Sequence, residues 1–140
     1  MTGFYCDGQS TTAVSECGGF FSAASTGWGL IIDAVAAETG LLDREKAKQR
    51  AKETMNNINS NWPRDSTGWF AHWTERDFGK VGEYSTIDSS IMIAGAYFAG
   101  KYFSDDPEMV TLAKSIGNTP TWENVFDTPQ PHQMAMVSCS

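Results

Sequence analysis

Four stretches of the chain carry apolar residues at helical spacing, and they fall into two pairs. In the first stretch, from Ser22, the residues Trp28, Ile31, Ile32 and Val35 share that spacing, and Gly40 stands where a C′ glycine ends a helix. Ser25-Thr26-Gly27-Trp28-Gly29 within it is rich in small residues, so another backbone can approach closely there. Asp43 is an N-cap for a second helix over residues 44 to about 59. Its apolar positions Ala47, Ala51, Met55 and Ile58 form a narrow stripe on an otherwise polar rod. The short link between these helices makes them antiparallel neighbours, the second facing solvent and the first more buried.

Residues 63–67 read as a turn. Gly68-Trp69-Phe70-Ala71-His72-Trp73 and Lys80-Val81-Gly82-Glu83-Tyr84 then form a short β-hairpin around residues 77–79. Strand alternation puts Trp69 and Trp73 on one face and Phe70 and His72 on the other. A third helix, residues 85 to about 103, is apolar nearly all round through Ile87, Ile91, Met92, Ile93, Tyr97 and Phe98, which predicts burial. Asp106-Pro107 supplies an N-cap and an N1 proline for a fourth, with Met109, Leu112, Ala113 and Ile116 inside it and Gly117 at its end. The predicted fold is all-α: two antiparallel helical hairpins in outer/inner alternation, joined by a β-hairpin. Residues 1–19 are rich in Gly, Ser and Thr and read as loop. Residues 118–140 contain Pro120, Pro129 and Pro131 and read as a tail, which Trp122, Phe126, Met134 and Met136 should dock onto another surface, another copy of the chain being one candidate.

Composition narrows the function. The chain has 140 residues, a single domain by size, with 41% hydrophobic and 19% charged residues, ordinary for a globular protein. A net charge of −7, with basic residues concentrated in 44–52 among Asp43, Glu45 and Glu53, argues against nucleic acid and reads as a solvated helix face. The longest apolar stretch, residues 87–98, is too short to span a bilayer and contains Asp88, Ser89 and Ser90, so no membrane partner is expected. No secretory leader follows Met1, which leaves a cytosolic protein or a longer exported parent (periplasmic or secreted) as alternatives. Cys6, Cys17 and Cys139 lack metal-ligand spacing, as do His72 and His132, so neither a metal nor a cofactor is expected. Free thiols are the expectation, with a Cys6–Cys17 bridge as the alternative.

Three segments in order carry a resemblance. Gly3-Phe4-Tyr5-Cys6-Asp7, then Ser22-Ala23-Ala24-Ser25-Thr26-Gly27-Trp28-Gly29-Leu30, then Gly68-Trp69-Phe70-Ala71-His72-Trp73 with Glu83-Tyr84-Ser85-Thr86-Ile87-Asp88 resemble motifs of the glycoamylase-like family. That family includes endo-β-1,2-glucanases and a domain of cyclic β-1,2-glucan synthases. The resemblance continues through Asp106-Pro107-Glu108 to about Trp122. It implies that residues 1–140 are a partial (α/α)-toroid domain, a slice holding about two inner/outer pairs. It also implies a β-glucan-active glycoside hydrolase-like parent, with the slice inactive alone and a second catalytic carboxylate lying elsewhere as an open alternative.

The candidate chemistry centres on Glu83 and Asp88, because glycoside hydrolysis needs one carboxyl to protonate the leaving oxygen and another to attack or to activate water. Both precede or open a buried helix, where a toroid mouth would present them. Ser85-x-x-Asp88 is also a capping-box pattern, which gives Asp88 a structural duty that does not exclude a catalytic one. Glu83 has no comparable local duty. The resemblance makes Asp7, Trp69, His72 and Trp73 candidate sugar-binding residues; their alternatives are an Asx-turn for Asp7, packing for the tryptophans and a structural donor for His72. Glu75 and Asp77 read as surface charges of the hairpin tip. No phosphate loop or nucleophile elbow is present. The rival reading is a non-catalytic helical module, a homo-oligomer formed through exposed inner-helix faces.

Overall fold

The computed structural model describes residues 3–6, 19–75 and 77–125, and its elements follow the caps written in the sequence. Helix α1 (Ala23–Glu38) starts on the Ser22 hydroxyl, which accepts from the Ser25 N–H. The chain leaves it through Gly40 at φ +72°, a left-handed conformation that glycine adopts without a Cβ penalty. Helix α2 (Arg44–Asn61) starts on the Asp43 carboxylate, which accepts from the Lys46 N–H at 3.1 Å. Helix α3 (Thr86–Tyr102) starts on Ser85, and α4 (Pro107–Gly117) on Asp106, whose carboxylate accepts from the Glu108 N–H at 3.0 Å.

Helices α1 and α3 form one layer, with α2 packed on α1 and α4 on α3, and α2 and α4 also touch. The inner pair meets backbone to backbone. A Cβ on Gly27 would lie 2.5 Å from the Ile91 carbonyl oxygen, and one on Gly95 would lie 2.1 Å from that of Gly27. The small-residue stretch of α1 therefore accommodates α3. Ala47, Ala51, Met55 and Ile58 of α2 are fully buried, as the sequence stripe predicts. The basic face of α2 is more than solvated. Arg44 and Lys48 pair with Asp105, and Lys52 with Asp106 and Glu108, tying α2 to the start of α4.

Three expectations change. The stripe Trp28, Ile32 and Val35 does not face the core of this chain: Trp28 and Ile32 are each 57% exposed, and α1 buries Ala23, Gly27, Leu30 and Ala34 instead. A close backbone contact selects small residues, so the bulky apolar side chains were pushed to the far side. Helix α3 is likewise not buried all round, because Ile87, Tyr97 and Phe98 are exposed. The bare sides of α1 and α3 thus present large apolar side chains at Trp28, Ile32, Val35, Ile87, Tyr97 and Phe98. Finally, the hairpin region is a three-part ribbon. Strand β2 (Trp73–Glu75) pairs antiparallel with an unforeseen β1 (Phe20–Ser22), while Ala71 and Thr74 make isolated bridges to Tyr84 and Val81. Trp69, Phe70 and Ala71 are buried in succession, so strict alternation is absent there.

Residues 3–6 of the N-terminal loop are anchored on the core. Phe4 joins the core against Phe21 and Trp62, and the Gly3 carbonyl accepts from the Thr54 hydroxyl at 2.9 Å. Cys6 is disulfide-bonded, which corrects the free-thiol expectation for that residue. Of the three cysteines, one bridge through Cys6 leaves one cysteine over. Cys17 and Cys139 lie outside the described residues. Trp122, in a short 3-10 turn (Trp122–Val125), docks edge-on against Trp69 with ring centroids 5.1 Å apart. The tail residues Phe126, Met134 and Met136 lie outside the described residues.

A buried acid sits beneath this N-terminal stretch. Asp33 of α1 is 2% exposed; its Oδ1 accepts from the Tyr5 hydroxyl at 3.0 Å and lies 3.4 Å from the Arg50 guanidinium, while its Oδ2 has no hydrogen-bond partner among the described residues. Burial raises the Asp33 carboxyl, with Arg50 and the Tyr5 hydroxyl opposing it. Burial, then the Asp33 charge, pushes the Tyr5 phenol up to about 12. A raised carboxyl binds its proton more tightly in the folded chain than in the unfolded one, so this group's contribution falls as pH rises from about 3.9 through the folded value. Asp33→Asn is therefore expected to gain stability relative to the parent as pH rises from 4 to 7. Urea midpoints of both proteins at the two pH values check this; a variant that loses stability relative to the parent between pH 4 and pH 7 would refute it.

Candidate functional site

The ribbon ties the starts of the two inner helices together. The Ala23 N–H donates to the His72 carbonyl at 2.8 Å, and the Ser85 N–H donates to the Phe70 carbonyl at 3.2 Å. The Phe70 N–H donates to the Ser89 hydroxyl, one turn into α3, at 2.9 Å. With Gly27 of α1 set against Ile91 and Met92 of α3, the two helices run parallel, with their N-terminal ends on the same ribbon. Phe70 is fully buried, its ring under the Arg64 guanidinium at 4.8 Å. Two residues on lies the half-buried His72.

The His72 N–H donates to the Glu83 carbonyl at 2.8 Å, so the two residues are registered by backbone before their side chains meet. The imidazole then lies between two carboxylates. Nδ1 is 2.9 Å from Glu83 Oε1, and Nε2 is 3.8 Å from Asp88 Oδ1. In the tautomer with the proton on Nδ1, the ring donates to Glu83. That hydrogen bond, helped by the backbone, holds the Glu83 carboxyl below the usual range. The Asp88 N–H donates to the Ser85 hydroxyl at 3.2 Å, and the same hydroxyl makes a short hydrogen bond to Asp88 Oδ2. This differs from a capping box: Asp88 takes the Ser85 hydroxyl, because the Ser85 N–H is already committed to Phe70.

Of the residues singled out from the sequence, Glu83, Asp88 and His72 come together. Trp73 follows His72 in the ribbon, packs edge-on against Phe20 at 4.9 Å, and lies so close over Gly82 that a Cβ there would be 2.3 Å from its indole nitrogen. Trp69 is 5% exposed and covered by Trp122. Asp7 lies outside the described residues. Ser85 and Ser89 were missed as supports; Ser85-x-x-Asp88 signalled the first, and nothing local signals the second. Among the described residues, no group of three or more His, Cys, Asp or Glu is arranged to hold a metal ion, and no helix is long and apolar enough to cross a membrane. What remains is a pair of carboxylates of unequal exposure sharing one imidazole, an arrangement able to move protons or stabilise positive charge.

No family model matches the sequence, and no curated protein does. Solved structures do. A glucoamylase-like protein from Bacteroides uniformis superposes with a TM-score of 0.65 at 21% identity, over 79% of this chain and 30% of that one. An endo-β-1,2-glucanase from Chitinophaga pinensis, solved with sophorotriose and glucose, gives 0.61 at 22% identity, over 82% of this chain and 28% of its own. A β-1,2-glucanase from Parabacteroides distasonis gives 0.60 at 21% identity, over 76% of this chain and 16% of its own. The fold is that of the glucoamylase-like (α/α) toroids. The chain spans between 16% and 32% of the length of the toroid proteins it matches. The matched part comprises α1 to α4, with α1 and α3 packed together and α2 and α4 against them.

Proposed function

We propose that this chain is a slice of a carbohydrate-active, glycoside hydrolase-like domain that acts on β-glucan, and that it is inactive alone. The observation that carries the reading is the placement of Glu83 and Asp88 on one imidazole beside the shared N-terminal end of the inner helices, in a fold common to two β-1,2-glucanases. Glu83 and Asp88 are the catalytic candidates. His72 and Trp73 stand beside them, whereas Trp69 would need Trp122 to move before a sugar could stack on it. The Glu83 carboxyl, held low by His72, suits the member of a carboxyl pair that stays ionised, as nucleophile, base or stabiliser of a developing cation. With linear β-1,2-glucan, the isolated chain is expected to release no reducing sugar above the blank, while a glucan oligomer shifts the NMR signals of His72 and Trp73. Release at an enzymatic rate that Glu83→Gln abolishes would overturn the inactivity; unshifted signals at millimolar oligomer would overturn the glucan.

A second reading, a non-catalytic helical module that self-associates, is favoured by the bare apolar sides of α1 and α3. Six large exposed side chains there are what a second copy would cover. Light scattering distinguishes it: a mass near 15.3 kDa in dilute solution counts against this reading, and a multiple of that mass supports it.

A further inference from the structure

We infer that His72 is a positioning residue, holding the Glu83 carboxylate through Nδ1 on the side of the ring away from Asp88, rather than a residue that grips sugar. The inference deepens the glycoside hydrolase-like reading and rests on it for its purpose, though its geometry stands without it.

Four observations carry it. Nδ1 is hydrogen-bonded to Glu83 at 2.9 Å and Nε2 stands 3.8 Å from Asp88, so a sugar hydroxyl that took Nδ1 would have to displace Glu83. The His72 backbone is fixed on both sides, by the Glu83 carbonyl and the Ala23 N–H, which leaves the ring little freedom to swing toward a ligand. Among the described residues, no other side chain supports Glu83 as directly: its side chain is about half exposed and precedes α3 rather than lying in it. Asp88, by contrast, is already steadied by the Ser85 hydroxyl. The imidazole therefore matters most for Glu83, whose distance from Asp88 it sets. That separation decides whether a water fits between the acid and its partner, which is what distinguishes inverting from retaining hydrolysis.

Among the described residues, the ring faces Glu83 from the segment before α3 and Asp88 from the first turn of α3, with the Ser85 hydroxyl behind Asp88. A merely structural histidine would fix the ribbon yet leave the carboxylate's titration untouched.

Carbon-detected NMR titration of the Glu83 side-chain carboxyl tests this on the full chain. The wild-type midpoint is expected below the ordinary value of about 4.3, and in His72→Gln it should return to that value. A His72→Gln chain with wild-type amide spectra and an unchanged Glu83 midpoint would overturn the clamp. Should that variant fail to fold, the wild type alone decides. Its His72 imidazole nitrogen shifts should trace the Glu83 titration as a second inflection at acid pH, and the absence of that inflection overturns the inference equally. No sugar enters either experiment, so a failed glucan reading would leave both results standing.

Discussion

Gly95→Val is expected to destabilise the fold by about 3 kcal/mol, at the upper end of what overpacking a core costs. The new side chain would meet no flexible neighbour. Its Cβ would lie 2.1 Å from the Gly27 carbonyl oxygen and 2.7 Å from the carbonyl carbon, so the atoms that must yield belong to the backbone of α1. Relief requires α1 and α3 to move apart, and that opens the packing along the whole inner layer. The helical gain from replacing glycine by valine is only about 0.4 kcal/mol, too small to offset the clash. Urea unfolding of the variant measures the loss; a change under about 1 kcal/mol would show that the two helices do not cross at Gly27 and Gly95.

Phe70→Ala is expected to cost about 3–5 kcal/mol, the range for removing a buried phenylalanine ring. The ring is fully buried and lies under the Arg64 guanidinium, which is itself depressed by burial and would be left over a cavity. The cost should spread beyond the cavity. Phe70 holds Ser85 and Ser89 through its own backbone, so a shift there loosens the first turn of α3, where Asp88 sits. Denaturant unfolding gives the magnitude, and hydrogen exchange at the Ser85 and His72 amides gives the locality. Unchanged protection at those two amides alongside a large global loss would show that the ribbon and the site are independent of the core.

Caps made much of this fold readable from sequence. Asp43, Asp106 with Pro107, and the glycine after α1 set helix limits because each satisfies a backbone group that a helix end leaves open. The stripe of α2 was equally plain, since one face of that helix is apolar and the rest polar. Helices α1 and α3 defeated the same method. Both are apolar on two sides, so a 3.6-residue period cannot say which side meets the rest of the chain, and size misled: the buried side of α1 is Gly27, Leu30 and Ala34, while Trp28 and Ile32 point away. In the site, Glu83 and Asp88 were visible because motifs named them. His72 was named as well, as a sugar-binding candidate; its place beside both carboxylates was not legible, because it depends on residues 81–84 lying against 71–74 in one register, and on β1 closing the other edge. The Trp69–Trp122 contact joins residues more than fifty positions apart and leaves no local trace in the sequence.

The parallel course of α1 and α3 has an electrostatic consequence. Each helix gathers about half a positive charge at its N-terminal end, from peptide dipoles that point the same way. Both ends abut the ribbon beside Glu83 and Asp88, so the fold itself supplies part of the counter-charge these carboxylates need. Neutralising both, as in a Glu83→Gln, Asp88→Asn double variant, would leave the two positive ends and His72 facing solvent with nothing to answer them. Such a surface would draw phosphate or sulfate from the buffer, and those variants are best compared with the parent in a solution free of both.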